Sequence, residues 1–353
     1  MKSDRRDFLR ALALGAGVGP VFLKRHAFVG TNAYGDKVLP GAAATRVVVA
    51  RDPGYTPETG LPDACLDAGL KALMEADSPA EAWKKLFRPD DVVGIKVNAL
   101  GGRNLSPSWR LIQAVVKGLV SAGVAENRII VWDRTSRELR RAGYPLADGD
   151  TGVRVRGTDA LEHQYEDETV TSGAVSTNLA CMLTRHCTAM VNVGVLKHHD
   201  LSGVSVFLKN YYGVISNPFR YHADHCSPFI PQVYSVPIIR EKTRLHLADA
   251  PVGQYGAGPA YNAAFTWPFG GVILARDPVA GDRVGADLIE RVRAEKGEKP
   301  LKDAGQPPVY IDEAGRMGLG ESDLAKIRVI PLALNAPKID EPAKSRERGI
   351  SRE

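Results

Sequence analysis

AMVNVGVLKHHDLSGVSVFLKNYYGVISNP, residues 189–218, decides how this chain is read. Met190 to Leu196 is an apolar run, β-branched and short enough for a buried strand. Lys197, His198, His199 and Asp200 follow without a break, and Val204 to Leu208 then leads to Lys209, Asn210 and two tyrosines. Cations and imidazoles at the end of an apolar strand are costly unless they meet water, a ligand or a metal. In open α/β sheets, ligands sit just beyond the carboxyl ends of strands. Lys197 to Asn210 is therefore expected to form the floor and wall of a site.

Working outward, strands are predicted at 45–50, 91–97, 128–132, 153–157, 190–196, 244–248, 271–275 and 327–332. Helices are predicted at 62–76, 79–86, 106–123, 135–142, 178–187, 279–293 and 308–315. Ser106 with Pro107, and Asp277 with Pro278, read as helix starts with a cap and a first-turn proline. Residues 158–176 are polar and weakly patterned. Strands alternating with helices imply an α/β fold, a mainly parallel sheet with helices on both faces. The Gly-rich breaks do not divide the pattern, so residues 45–333 read as a single elaborated domain. Residues 334–353 are charged, lack apolar periodicity and read as a disordered tail.

If the sheet is parallel, its strand ends share one edge. Lys96, Asn98, Asp133, Lys197, His198, His199 and Asp249 would then line a polar rim, with Lys209 and Asn210 beside it. Lysines with carboxamides combine point charge with directional donors, which suits a small anionic ligand such as a carboxylate or phosphate. Adjacent His198 and His199 point oppositely on extended backbone, so one of them, His199, is expected in the site. Tyr211 and Tyr212 are candidates for the core or for closing the pocket. RYHADHCSP supplies His222, His225 and Cys226 as candidate ligands of a transition metal, the two histidines sharing a face if the segment is helical. Gly253, Gly256 and Gly258 precede no helix start, so they read as tight turns, not as a dinucleotide fingerprint. There is neither a Walker loop nor a Gly-x-Ser-x-Gly elbow.

LKHHDLSGVSVFLKNYYGVI resembles the central motif of the family catalogued as domain of unknown function 362: Lys-x-His, a small linker, then an apolar run ending Lys-Asn-x-x-Gly. VVGIKVNAL around Lys96, GGVILARDPVAGDRVGADLI and GLGESDLAKIRVI resemble the same family, and together the matches span about residues 45–331. The resemblance implies the fold and marks Lys197 and Lys209 as positions to watch. It implies no reaction.

DRRDFLR, residues 4–10, followed by the modest apolar segment Ala11 to Leu23, resembles a twin-arginine export signal, with a linker to residue 44. The chain is thus expected to meet the twin-arginine translocation machinery and to be periplasmic or exported, the signal either removed or kept as an anchor. This route carries folded proteins and many redox proteins, which favours a cofactor and redox chemistry by association. Residues 1–28 hold six basic and two acidic side chains, so +4 of the formal +5 leaves with them. No basic stripe remains for nucleic acid. No internal stretch is long and apolar enough to span a membrane. The four cysteines form no C-x-x-C pair; Cys181 with Cys187 is the nearest candidate disulfide. The expected function is an exported enzyme acting on a small anion, the alternative a periplasmic ligand- or metal-binding or maturation protein without turnover.

Overall fold

The structure, a computed structural model, describes residues 45–59 and 63–335. The export signal and linker expected over 1–44, and the tail beyond 335, lie outside the described residues. Eleven strands are described: β1 (Thr45–Arg51), β2 (Val93–Val97), β3 (Ile129–Asp133), β4 (Arg154–Gly157), β5 (Tyr165–Ser172), β6 (Val175–Ala180), β7 (Ala189–His199), β8 (Gly203–Ser205), β9 (Thr243–Gln254), β10 (Thr266–Ala275) and β11 (Ile327–Ala333). The α-helices are α1 (Asp63–Met74), α2 (Pro79–Lys84), α3 (Trp109–Ser121), α4 (Ser136–Ala142), α5 (Cys181–Thr184), α6 (Phe229–Tyr234), α7 (Pro237–Lys242), α8 (Pro278–Glu295) and α9 (Val309–Arg316).

Nine strands make one sheet in the order β11-β1-β10-β9-β7-β2-β3-β4, with β8 paired to the end of β7. β10 runs antiparallel to β1 and β9, and β8 antiparallel to β7; the other pairs are parallel. The expected mainly parallel sheet is what forms. Side chains alternate across it with the period of two that a pleated strand imposes. Val48, Ile95, Val131, Val191 and Leu247 pack against Leu66 and Leu70 of α1, Trp83 of α2 and Ile112 of α3. Val47, Ile130, Met190, Ala248 and Ile273 face the other way, toward Val279 and Ile289 of α8 and Tyr310 of α9. Helices cover both faces, as a parallel sheet requires. β7 sits near the centre and every one of its residues is buried, which is why its sequence is an almost unbroken apolar run.

Several local expectations are corrected. Residues 178–187 are not one helix: β6 runs to Ala180 and α5 is a single turn. Val175, Thr177 and Leu179 are buried, a strand alternation that the apolar residues after them obscure. The polar stretch 158–176 contains β5, the partner of β6 in a separate two-stranded antiparallel sheet. The cap of α3 is Ser108, accepting from Leu111 N, not Ser106. α8 starts as read, with Asp277 accepting from Val279 N and Ala280 N ahead of Pro278. β9 continues past Asp249 to Gln254, so Asp249 is not a strand end. Cys65, Cys181, Cys187 and Cys226 are buried free thiols, so the Cys181–Cys187 disulfide does not form in this structure.

Candidate functional site

β2, β3, β7 and β9 are mutually parallel, so their carboxyl ends meet along one edge. Lys96, one residue before the end of β2, sends Nζ to Asp133 Oδ1 at 2.6 Å, Val97 O at 2.7 Å and Asn210 Oδ1 at 3.0 Å. An ammonium has three N–H groups, and these three acceptors use them all. Asp133 Oδ2 in turn accepts from Ala99 N at 2.7 Å. Lys96 and Asn210, expected to bind ligand, are instead bound to the protein. Asn210 Nδ2 donates to Asn192 Oδ1 at 2.7 Å, and Asn192 Nδ2 reaches Phe207 O at 3.1 Å and His246 Nδ1 at 3.2 Å.

This network explains the Lys-Asn-x-x-Gly pattern physically. A Cβ on Gly213 would stand 2.6 Å from Lys96 Nζ and 3.1 Å from Asp133 Oδ1. One on Gly194 would stand 1.9 Å from Val206 O. Without side chains at these positions, the segment after β8 crosses back over β7 and β2 and caps the Lys96–Asp133 pair. Asn210 and Gly213 thus fasten the segment, which leaves Lys209 as its chemically available residue.

Lys197 is of a different kind. It is 1% exposed, and its Nζ has no hydrogen-bond partner. Arg154 and Arg156 also have an unpaired buried Nε, but Arg154 is bonded through Nη2 and Arg156 through both Nη1 and Nη2. Burial, and then the positive charge of Lys209, pushes the Lys197 ammonium down to about 8. Lys209, also buried, reaches His222 Nε2 at 2.9 Å and lies 3.9 Å from the centre of the Tyr212 ring. Burial pushes it down to about 8 too. Among the described residues, neither lysine has an acidic partner within ion-pair distance.

The two imidazoles beside them are neutral donors or acceptors of fixed sense. His222 Nδ1 lies 3.0 Å from Pro218 O, to which it donates, so Nε2 accepts from Lys209. His199 Nδ1 accepts from Leu201 N at 3.2 Å, which places its proton on Nε2. Burial first, then Lys209 and Lys197, pushes His199 down to about 2. A neutral His199 forms no ion pair with Asp200, despite an Nδ1–Oδ1 separation of 3.1 Å. Both atoms accept from the same Leu201 N–H. The centre therefore offers two buried ammonium groups and an imidazole N–H, with no counter-charge against the lysines.

Other expected residues stand apart. His198 lies across from the site as the alternation predicts: its Nδ1 accepts from Gly258 N at 3.0 Å and its Nε2 is 2.9 Å from Gln306 Oε1. Both ring nitrogens are satisfied. Asp249 accepts from Ser108 N at 2.6 Å and from the Tyr55 hydroxyl, and burial raises its carboxyl. Tyr55 lines a groove of about 420 Å³ with Pro57, Val252 and Phe269, and none of the site lysines reaches it. Asn98 is half-buried with an unpaired Oδ1. The expected metal set does not assemble. Asp224, His225 and Cys226 have φ of 49°, 57° and 59°, left-handed backbone in which an i, i+3 pair no longer shares a right-handed helical face. His225 Nδ1 lies 3.2 Å from Leu201 O. Among the described residues, no group of three His, Cys, Asp or Glu side chains is placed to hold a metal ion. Tyr211 is core, packed on Tyr234, while Tyr212 supports Lys209.

Two positioning residues were not among those expected. Asn192 and His246 are fully buried; a lone Asn inside VNVGVL and a lone His inside LHLAD were the available signals. Asp282, in the helix that Asp277 caps, accepts from Phe207 N at 2.6 Å, Leu208 N at 3.2 Å and the Tyr310 hydroxyl at 2.7 Å. It anchors the turn that delivers Lys209.

The sequence model of the family described as domain of unknown function 362 matches residues 93–287. That span includes β2, the central motif and Asp282. It is narrower than the 45–331 read from motifs, and GLGESDLAKIRVI falls outside it. No curated protein matches. Among solved structures, a crystal structure of a protein from Thermotoga maritima is similar at 14% identity and a TM-score of 0.35, over 57% of this chain and 52% of the other. The chain spans about half the length of that protein.

Proposed function

As the chain belongs to the family described as domain of unknown function 362, we propose that its central motif builds an anion-binding centre, and that the protein is an exported enzyme acting on a small carboxylate or phosphate. The observation that carries this reading is the buried Lys197 ammonium with no partner. A charged group left unpaired inside a protein is expensive, and nature ordinarily pairs it. An anion seated between Lys197 and Lys209 would supply the missing counter-charge and acceptor. His199 would add a neutral N–H donor. An amine near 8 is also suited to proton transfer close to neutral pH, so Lys197 is the residue assigned to move a proton and Lys209, fixed by His222 and Tyr212, the one that holds charge.

Export through the twin-arginine route to the periplasm rests on DRRDFLR alone, and the redox expectation rests on that route. A second reading is favoured by the imidazoles: the basic nitrogens of His199 and His222 are both already accepting hydrogen bonds. A ligand-holding protein without turnover would need no free imidazole base. The experiment is thermal stabilisation by inorganic phosphate and by formate, measured from pH 6.5 to 9.5. The centre binds through protonated amines, so stabilisation should fall as pH rises through about 8 and be lost in Lys209→Met. Stabilisation independent of pH and of that substitution would reject the proposal.

A further inference from the structure

We infer that the acid bound at this centre carries a flat apolar body, so that the ligand is an aromatic carboxylate or a close analogue and not a bare inorganic anion. This rests on the anion-centre reading and names the rest of its ligand. A ladder of planar groups climbs from the centre to the surface. The His199 ring faces His222 at a centroid separation of 6.3 Å and 27° between planes. His222 faces Phe219 at 6.4 Å and 24°. The Arg134 guanidinium lies 5.3 Å from the Phe219 ring centre.

Phe219 is 79% exposed, more than any other large apolar side chain among the described residues. Single exposed apolar residues need no explanation, but this one stands against the ring that holds Lys209. Leu201, 41% exposed, directly follows the His199–Asp200 pair, and its N–H bonds His199. Leu100, at 50%, lies two positions past Asn98. Leu100 and Leu201, two of the seven exposed large apolar side chains among the described residues, thus follow the carboxyl ends of β2 and β7, and Phe219 stands on the helical turn Pro218–Tyr221 beyond Lys209. Cations below and flat or apolar surface above complement an organic acid with a planar body: its carboxylate on Lys197 and Lys209, its body against the exposed Phe219.

The test titrates acetate, inorganic phosphate, cyclohexanecarboxylate and benzoate into the full chain by calorimetry, with Phe219→Ala alongside. Benzoate should bind about tenfold more tightly than acetate or phosphate, and tighter than cyclohexanecarboxylate. Phe219→Ala, at an exposed site, should remove most of that preference, so that benzoate and acetate bind the variant about equally. Equal affinity for all four anions, with Phe219→Ala neutral, overturns this inference and leaves the anion centre standing. No binding by any anion overturns both. Loss of binding to phosphatidylglycerol vesicles in Phe219→Ala, with no benzoate preference in the parent, overturns it in favour of a membrane surface.

Discussion

Replacing Lys197 with Met should make the ligand-free protein more stable while abolishing its response to anions. A free lysine side chain titrates near 10.5, and this one is held at about 8 by burial and by Lys209. At roughly 1.4 kcal/mol per tenfold change in proton affinity, keeping the ammonium protonated in the folded state at pH 7 costs on the order of 3 kcal/mol. Met has a similar length and no charge, so most of that cost should be recovered, less a few tenths to about 1 kcal/mol for imperfect packing. The sign with pH follows from linkage. The folded state binds this proton less tightly than the unfolded chain, so the penalty is fully present below about 8 and disappears as pH rises toward 10.5. Urea denaturation of both proteins at pH 7 and pH 10 is the assay. The variant should be more stable by about 2–3 kcal/mol at pH 7, with the advantage gone near pH 10.5. Phosphate at pH 7 should stabilise only the parent. A variant that is less stable at every pH, and still gains stability from phosphate, would refute the reasoning and make Lys197 a structural residue.

Lys96→Met should do the opposite, since it leaves the buried Asp133 carboxylate without its cation. Breaking such a pair costs about 3–5 kcal/mol, which denaturation at pH 7 would read directly. Asp282→Asn addresses the anchor of the Lys209 turn. Burial raises the Asp282 carboxyl to about 7, so ionising it costs stability that is lost as pH rises from about 4 to 7. The parent should therefore lose stability relative to the variant across that range, and parallel pH profiles would contradict the assignment.

The sheet was legible because β7 and its neighbours are buried on both faces and so read as apolar runs, and because each polar strand end interrupts its run abruptly. Reading those ends as one rim grouped Lys96, Lys197 and Lys209 together, with Lys96 near the end of β2, Lys197 near the end of β7 and Lys209 on the helical segment Leu208–Val214. It did not separate their tasks. Lys96 is saturated because β3, its lateral neighbour, brings Asp133 to it from far along the chain. At the level of Lys197 the neighbours are Ser205 of β8 and Gln254 of β9, neither of them acidic. The two lysines look alike in sequence, and only strand register distinguishes them. The His222–Cys226 cluster misled for a backbone reason: spacing that would align two histidines on a helix means nothing where three consecutive residues adopt left-handed dihedrals. The strand β6 was missed because its alternation is brief and runs directly into the apolar turn α5. The role of Asp282 was not legible because a buried carboxylate that accepts two backbone N–H groups looks, in sequence, like any acidic residue on an amphipathic helix.

Lysine ionisation can be observed directly, by following the 13Cε shifts of labelled lysines with pH, with and without benzoate, and assigning them through Lys197→Met and Lys209→Met. Two lysines should titrate near 8 in the free protein and move up toward 10.5 when the anion is present. If both titrate near 10.5 with no ligand and ignore the anion, the cluster is an ordinary solvated surface and the binding centre does not exist.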